Sequence, residues 1–138
     1  MLEPKLIFWP AVVQIALTSY VYVRLKNVKA EAVKKGGVDR QKNALDPDAW
    51  PDAVRKVNNN IRNQFELPVL FYALTMIIWA IGAVNPLTLG LACLFVASRL
   101  VHTYIHTGPN IVKYRLRAFT VGFVAVVGML GAVIYALV

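Results

Sequence analysis

Two stretches of this chain hold ionisable side chains at helical spacing beside hydrocarbon. In NNNIRNQFELPVLFYALT (58–75), Asn59, Arg62, Asn63 and Glu66 stand at i, i+3, i+4 and i+7, one face of a helix, just before an apolar run. Arg99, His102 and His106 stand at i, i+3 and i+7, again one face. Arg24 ends the first apolar run, and Arg115 precedes the last. Four arginines (Arg24, Arg62, Arg99, Arg115) thus face the single nearby acid, Glu66. Unpaired cations in apolar surroundings are costly, so a bound anion is the expected counter-charge. The plain structural alternative is a Glu66–Arg99 ion pair, with the other residues snorkelling to the membrane surface. His102 has an alternative as a satisfied core residue, and His106 as the end of a helix. Two histidines and one acid lack a metal-ligand spacing, so no metal is expected.

The elements that must position these groups are apolar. The chain has 138 residues, 58% of them hydrophobic and 16% charged, with a mean hydropathy of +0.55. Such a composition fits a multi-pass integral membrane protein better than a soluble domain. The first run, 6–23, is uncharged and too long for a signal-peptide core. Later runs begin at Leu67, Pro86 and Ala118. With no alternating barrel pattern, the expectation is an all-α, four-helix membrane bundle forming one domain over 1–138. Its spans fall at about 6–25, 64–84, 86–107 and 115–138.

The connections carry further expectations. Residues 24–57 form a long basic loop, with Asp48 capping a helix that has Pro51 in its first turn. That helix runs through 58–66 directly into the second span, and Pro68 bends it. The short turn at Asn85-Pro86 makes spans two and three antiparallel neighbours. Lys and Arg crowd the first and third loops, and the second has none. Both basic loops are therefore expected in the cytoplasm, with both termini outside. The net charge of +8 comes from these loops, and without a basic-aromatic face nucleic acid is not an expected partner. Cys93 is the only cysteine, so no intrachain disulfide forms, and it is expected as a small buried hydrophobe. Ala118, Gly122, Ala125, Gly128, Gly131 and Ala132 suit close helix packing, within or between subunits.

RNQFELP (62–68), RLVHTYIHTG (99–108) and KYRLRAFT (113–120), with the four-span plan, resemble the MAPEG family. These are membrane-associated proteins in eicosanoid and glutathione metabolism. The resemblance implies a homotrimer with glutathione bound between subunits near the cytoplasmic face. A lipophilic small molecule then arrives from the membrane lipid. It implies glutathione contacts for Arg24, Arg62, Asn63, Glu66, His102 and Arg115, with Arg115 as the catalytic group beside the sulfur. Asn59, Arg99 and His106 complete the candidate binding set. Arginine suits the two carboxylates of glutathione, Glu66 its ammonium, and a nearby cation favours thiolate over thiol.

This chain departs from the prostaglandin E synthase branch. Asn59 replaces an arginine, His106 and Phe119 replace tyrosines, and Leu116 replaces a serine. Losing hydroxyls around the thiol argues against that branch's specificity. The expected activity is a glutathione-dependent transferase or peroxidase acting on a lipophilic electrophile. The alternative is a non-catalytic lipid- or glutathione-binding member. A drug/proton exchanger is disfavoured because no acid lies deep in any span. The spare form suits a bacterial member in the inner membrane.

Overall fold

The structure, a computed structural model, describes residues 2–138. It is all-helical, with no strand among the described residues. A 3-10 turn at Pro4–Ile7 leads into α1 (Phe8–Lys35), followed by α2 (Arg40–Leu45) and a 3-10 turn at Pro47–Ala49. Then come α3 (Asp52–Gln64), α4 (Leu67–Ala80), α5 (Pro86–Thr107) and α6 (Val112–Leu137). Three segments are long and apolar enough to cross a membrane: Pro4–Lys35, Pro86–Thr107 and Val112–Leu137. α4 is equally apolar but has 14 residues, and closes at Ile81 and the left-handed Gly82.

Much of the expected basic loop is helix. α1 continues to Lys35, and at 28 residues rises about 42 Å, beyond the ~30 Å of a hydrocarbon core. Its second half has a small core of its own, in which Val21 and Leu25 meet Val54 and Val57 of α3, with Trp50 and Ile61 alongside. Lys29 lies over the Trp50 ring at 5.1 Å. Asp48 does not cap α3. It lies in the 3-10 turn, Pro51 is the N-cap residue, and no side chain caps that end.

Nor does α3 run on into α4. The helix stops at Gln64, Glu66 takes φ −98° and ψ −101°, and α4 restarts with Pro68 in its first turn. Pro68 has no N–H for the Gln64 carbonyl, so the sequence dictates a break there, sharper than the expected bend.

Cross-helix contacts fix the directions. Phe8 meets Trp79 and Gln14 meets Gln64, so α1 runs antiparallel to α3 and α4. Phe71 stacks on Phe95 at 4.3 Å, each nine residues from the short turn that joins α4 to α5, so the two helices run antiparallel. The turn between them is tight because Asn85 caps α5 in a capping box with Thr88. The main core joins Phe71, Leu74 and Ile78 of α4, Phe95 and Val96 of α5, and Ala125, Val126, Met129 and Val133 of α6. Cys93, contrary to expectation, is exposed on α5.

Only some of the small residues on α6 face this core. A Cβ on Gly122 would stand 2.6 Å from Ser98 Oγ and one on Gly128 3.1 Å from Leu91, whereas one on Gly131 meets nothing within 4 Å. Gly122→Leu is therefore expected to wedge α5 from α6 and cost about 1–3 kcal/mol. The readout is the unfolding midpoint in detergent, and Gly131→Leu is expected to leave that midpoint unchanged. Equal effects of the two variants would mean that α5 and α6 do not meet at Gly122.

Candidate functional site

A ladder of neutral polar groups crosses the interior between α1, α3 and α5. Gln14 Nε2 donates to Gln64 Oε1 at 2.8 Å. Gln64 Nε2 donates to Asn60 Oδ1 at 3.0 Å and to Thr103 Oγ1 at 3.1 Å. Asn60 Nδ2 meets His106 Nδ1 at 3.3 Å. With Nδ1 accepting there, the imidazole proton is on Nε2. Gln14, Asn60, Gln64, Thr103 and His106 are all buried. Carboxamides can satisfy one another without charge, which is how polar side chains join helices in an apolar medium.

The cations gather at helix C-termini. The last carbonyls of a helix lack intrahelical donors and carry its negative dipole end. Arg24 Nη2 donates to Thr107 O at 2.9 Å and Lys56 Nζ to Gly108 O at 3.2 Å, both at the end of α5. Arg99 Nη2 donates to Asn63 O at 3.1 Å, at the end of α3. Arg99 is 0% exposed, yet its Nε and Nη1 find no partner among the described residues. His102, one turn along, is also buried with both ring nitrogens unpartnered. Neither the core-histidine alternative nor the ion-pair alternative describes this. No ion pair joins Glu66 to Arg99 among the described residues, and Glu66 is exposed.

Beside these groups lies a cavity of about 230 Å³, lined by Asn63, His102, His106, Val112, Arg115, Leu116 and Phe119. The His102 and His106 rings meet edge-on with centroids 5.4 Å apart. Arg115 Nη1 donates to Asn110 Oδ1 at 2.8 Å. A second cavity, of about 390 Å³ and mainly apolar, lies between α1 and α5, where Arg24 lines it with Tyr20, Leu100 and Tyr104. A third, of about 430 Å³, is polar and takes in Asn59 with Asp52, Arg55, Lys56 and Asn110.

One chain therefore brings together Asn63, His102, His106 and Arg115, with Arg99 held against Asn63. It does not bring Arg24 or Asn59 to the same cavity, and Arg62 and Glu66 face outward. The helix break at Phe65–Glu66 takes Glu66 out of helical register with Asn59 and Arg62. Sequence reasoning missed Gln14, Asn60, Gln64, Thr103, Lys56 and Asn110. A usable signal existed for Asn60 and Gln64. They extend the stripe begun by the buried Val54 and Val57 at spacings of three and four.

Long apolar helices around a polar, cation-bearing interior define an integral membrane protein. The model of the MAPEG family matches residues 7–135, nearly the whole chain, and the chain belongs to that family. No curated protein and no solved structure matches it.

The ladder has a measurable signature. Gln64→Leu strands the groups of Gln14, Asn60 and Thr103, and is expected to cost about 1–3 kcal/mol of stability. Gln14→Leu/Gln64→Leu removes two partners together and is expected to cost less than the sum of the single changes. Denaturation of the purified variants in detergent measures both. Strict additivity would mean that the two carboxamides do not interact.

Proposed function

We propose that the protein is a membrane-embedded, glutathione-dependent transferase or peroxidase for lipophilic electrophiles, working as a homotrimer of four-helix subunits. The observation that carries this is a buried cation, Arg99, with no ion-pair partner among the described residues. Arg99 and His102 hold four unpartnered polar atoms beside a cavity that Arg115 lines. An anionic ligand with several acceptors fits that need, and glutathione supplies two carboxylates and a thiolate.

Two features support the trimer. The cavity of about 230 Å³ falls below the ~300–1,000 Å³ of ordinary small-molecule sites. Arg24 lines a different cavity, on another face of α5. A neighbouring copy that lays its α1 end against the His102 cavity completes one site from two incomplete ones. In this arrangement α4 is the fourth crossing. Its rise of about 21 Å is extended by the break at Phe65–Glu66 and the turn before Asn85. The basic segments lie in the cytoplasm of a bacterial cell, where glutathione is available, and both termini lie outside the inner membrane.

The chemistry follows from charge. A free thiol with a pKa of about 8.5 is only a few per cent ionised at neutral pH. The Arg115 cation favours the thiolate as the thiol proton passes to water. The thiolate then attacks an electrophilic carbon, forming a C–S bond while the leaving group departs with its electron pair. On a peroxide it attacks one oxygen, releasing an alcohol and a sulfenic acid, which a second glutathione converts to disulfide and water. Glu66 pairs with the ammonium group, and the membrane delivers the electrophile by partition.

One observation favours the second reading, a binding protein without turnover. Beside Arg115, α6 presents Val112, Leu116 and Phe119 to the cavity, and none carries a hydroxyl. The test is the ultraviolet titration of bound thiolate, run with turnover of a generic aromatic electrophile. Arg115→Leu is expected to raise the thiol pKa by about one unit or more and to cut turnover about tenfold. Binding with a lowered thiol pKa but no turnover supports the second reading. An unchanged titration and unchanged turnover in Arg115→Leu would remove Arg115 from the chemistry. Native mass spectrometry in mild detergent is expected to show three chains, and a clean dimer would remove the shared site.

A further inference from the structure

We propose that Asn110 is a positioning residue that holds Arg115 against the His102–His106 cavity, a role that rests on Arg115 acting on the bound sulfur. Asn110 stands in the short turn between α5 and α6. Its φ of 52° makes it the one non-glycine residue with positive φ among the described residues. Its own N–H donates to Ile105 O at 2.7 Å. Asparagine tolerates this left-handed conformation better than most side chains, so the turn alone would account for its backbone.

The turn does not account for its side chain. The position from which a side chain caps the first turn of α6 belongs to the next residue, Ile111, so capping gives the Asn110 carboxamide no role. Here α6 starts after Ile111 with no side-chain cap, and the Asn110 carboxamide oxygen accepts from Arg115 Nη1 instead. That is the one side-chain hydrogen bond of Arg115 among the described residues, and no acid lies within ion-pairing distance of it. The acceptor is neutral, which matters chemically. A carboxylate in its place would hold the guanidinium equally well and cancel the charge that favours a thiolate.

The turn is itself anchored. Arg24 from α1 holds Thr107 O, and Lys56 from α3 holds Gly108 O. A Cβ on Gly108 would stand 2.9 Å from Tyr104 O, so the chain passes close to the end of α5 there. Through Asn110, the place of Arg115 is thereby referred to three other helices. Without it, the guanidinium hangs from a flexible stem on α6 alone.

Glycine takes a φ of 52° freely, so Asn110→Gly keeps the turn and removes only the acceptor. Asn110→Asp keeps the acceptor and adds a charge. Both are compared with wild type and Arg115→Leu in detergent, using glutathione and a generic aromatic electrophile. Asn110→Gly is expected to keep the unfolding midpoint and the KM for glutathione. Its kcat is expected to fall about three- to tenfold, with a thiolate titration displaced toward that of Arg115→Leu. Asn110→Asp is expected to displace the titration at least as far. Asn110→Gly/Arg115→Leu is expected to be no worse than Arg115→Leu.

If both Asn110 variants titrate and turn over like wild type while Arg115→Leu does not, Asn110 serves the turn alone and the proposal is wrong. If Arg115→Leu itself behaves like wild type, the role of Arg115 fails instead. Should Asn110→Gly not fold, Asn110→Asp decides, since a wild-type titration in that variant overturns the proposal.

Discussion

A fully buried arginine with no acid in ion-pairing reach among the described residues is the constraint around which this molecule is arranged. Taking a guanidinium out of water costs several kcal/mol even after relaxation. Arg99 recovers part of that from one hydrogen bond, to Asn63 O. The carbonyl is free to accept because α3 ends one residue later, at Gln64, and the helix dipole adds attraction. A dipole end contributes about 0.3–1 kcal/mol, up to ~2 when partly buried. That is less than the cost, and Nε and Nη1 are left over. The imbalance is what an anionic ligand corrects.

The break between α3 and α4 is the local device that makes this possible. Pro68 forces it, the break frees the last carbonyls of α3, and one of them takes the cation. The end of α5 repeats the pattern, with Arg24 and Lys56 on its last carbonyls. Neutral carboxamides do the complementary work. Gln14, Gln64 and Asn60 tie three helices together without adding charge, and the ladder ends on His106, a wall of the cavity.

The apolar runs announced their helices because nothing but a helix or closed barrel satisfies a backbone in lipid. α5 and α6 were legible in this way, as was the short turn at Asn85-Pro86 between α4 and α5. The register of α3 was not. Sequence spacing put Asn59, Arg62, Asn63 and Glu66 on one face, the charged one. The face that is buried adjoins it, and it carries Asn60 and Gln64. Its mark was the hydrophobic stripe of Val54 and Val57, which has to meet the end of α1. Gln14 was a lone carboxamide in an uncharged run, a costly residue whose partner only the fold could name. The helical extension of α1 to Lys35 was hidden by its charges, since its stabilisation comes from packing on α3. Arg24 and Arg115 were singled out by their places at span ends. That they line different cavities depends on which faces of α5 they meet.

The most direct test is a calorimetric titration of glutathione into detergent-purified protein, wild type against Arg99→Met. If the buried cation awaits an anion, the wild type binds saturably, and the variant binds about tenfold more weakly or worse, because it has lost a charged partner out of water. Methionine fills similar space without needing a counter-charge, so the variant still folds. A wild type that gives no binding heat, or a variant that binds as tightly as wild type, would contradict the account.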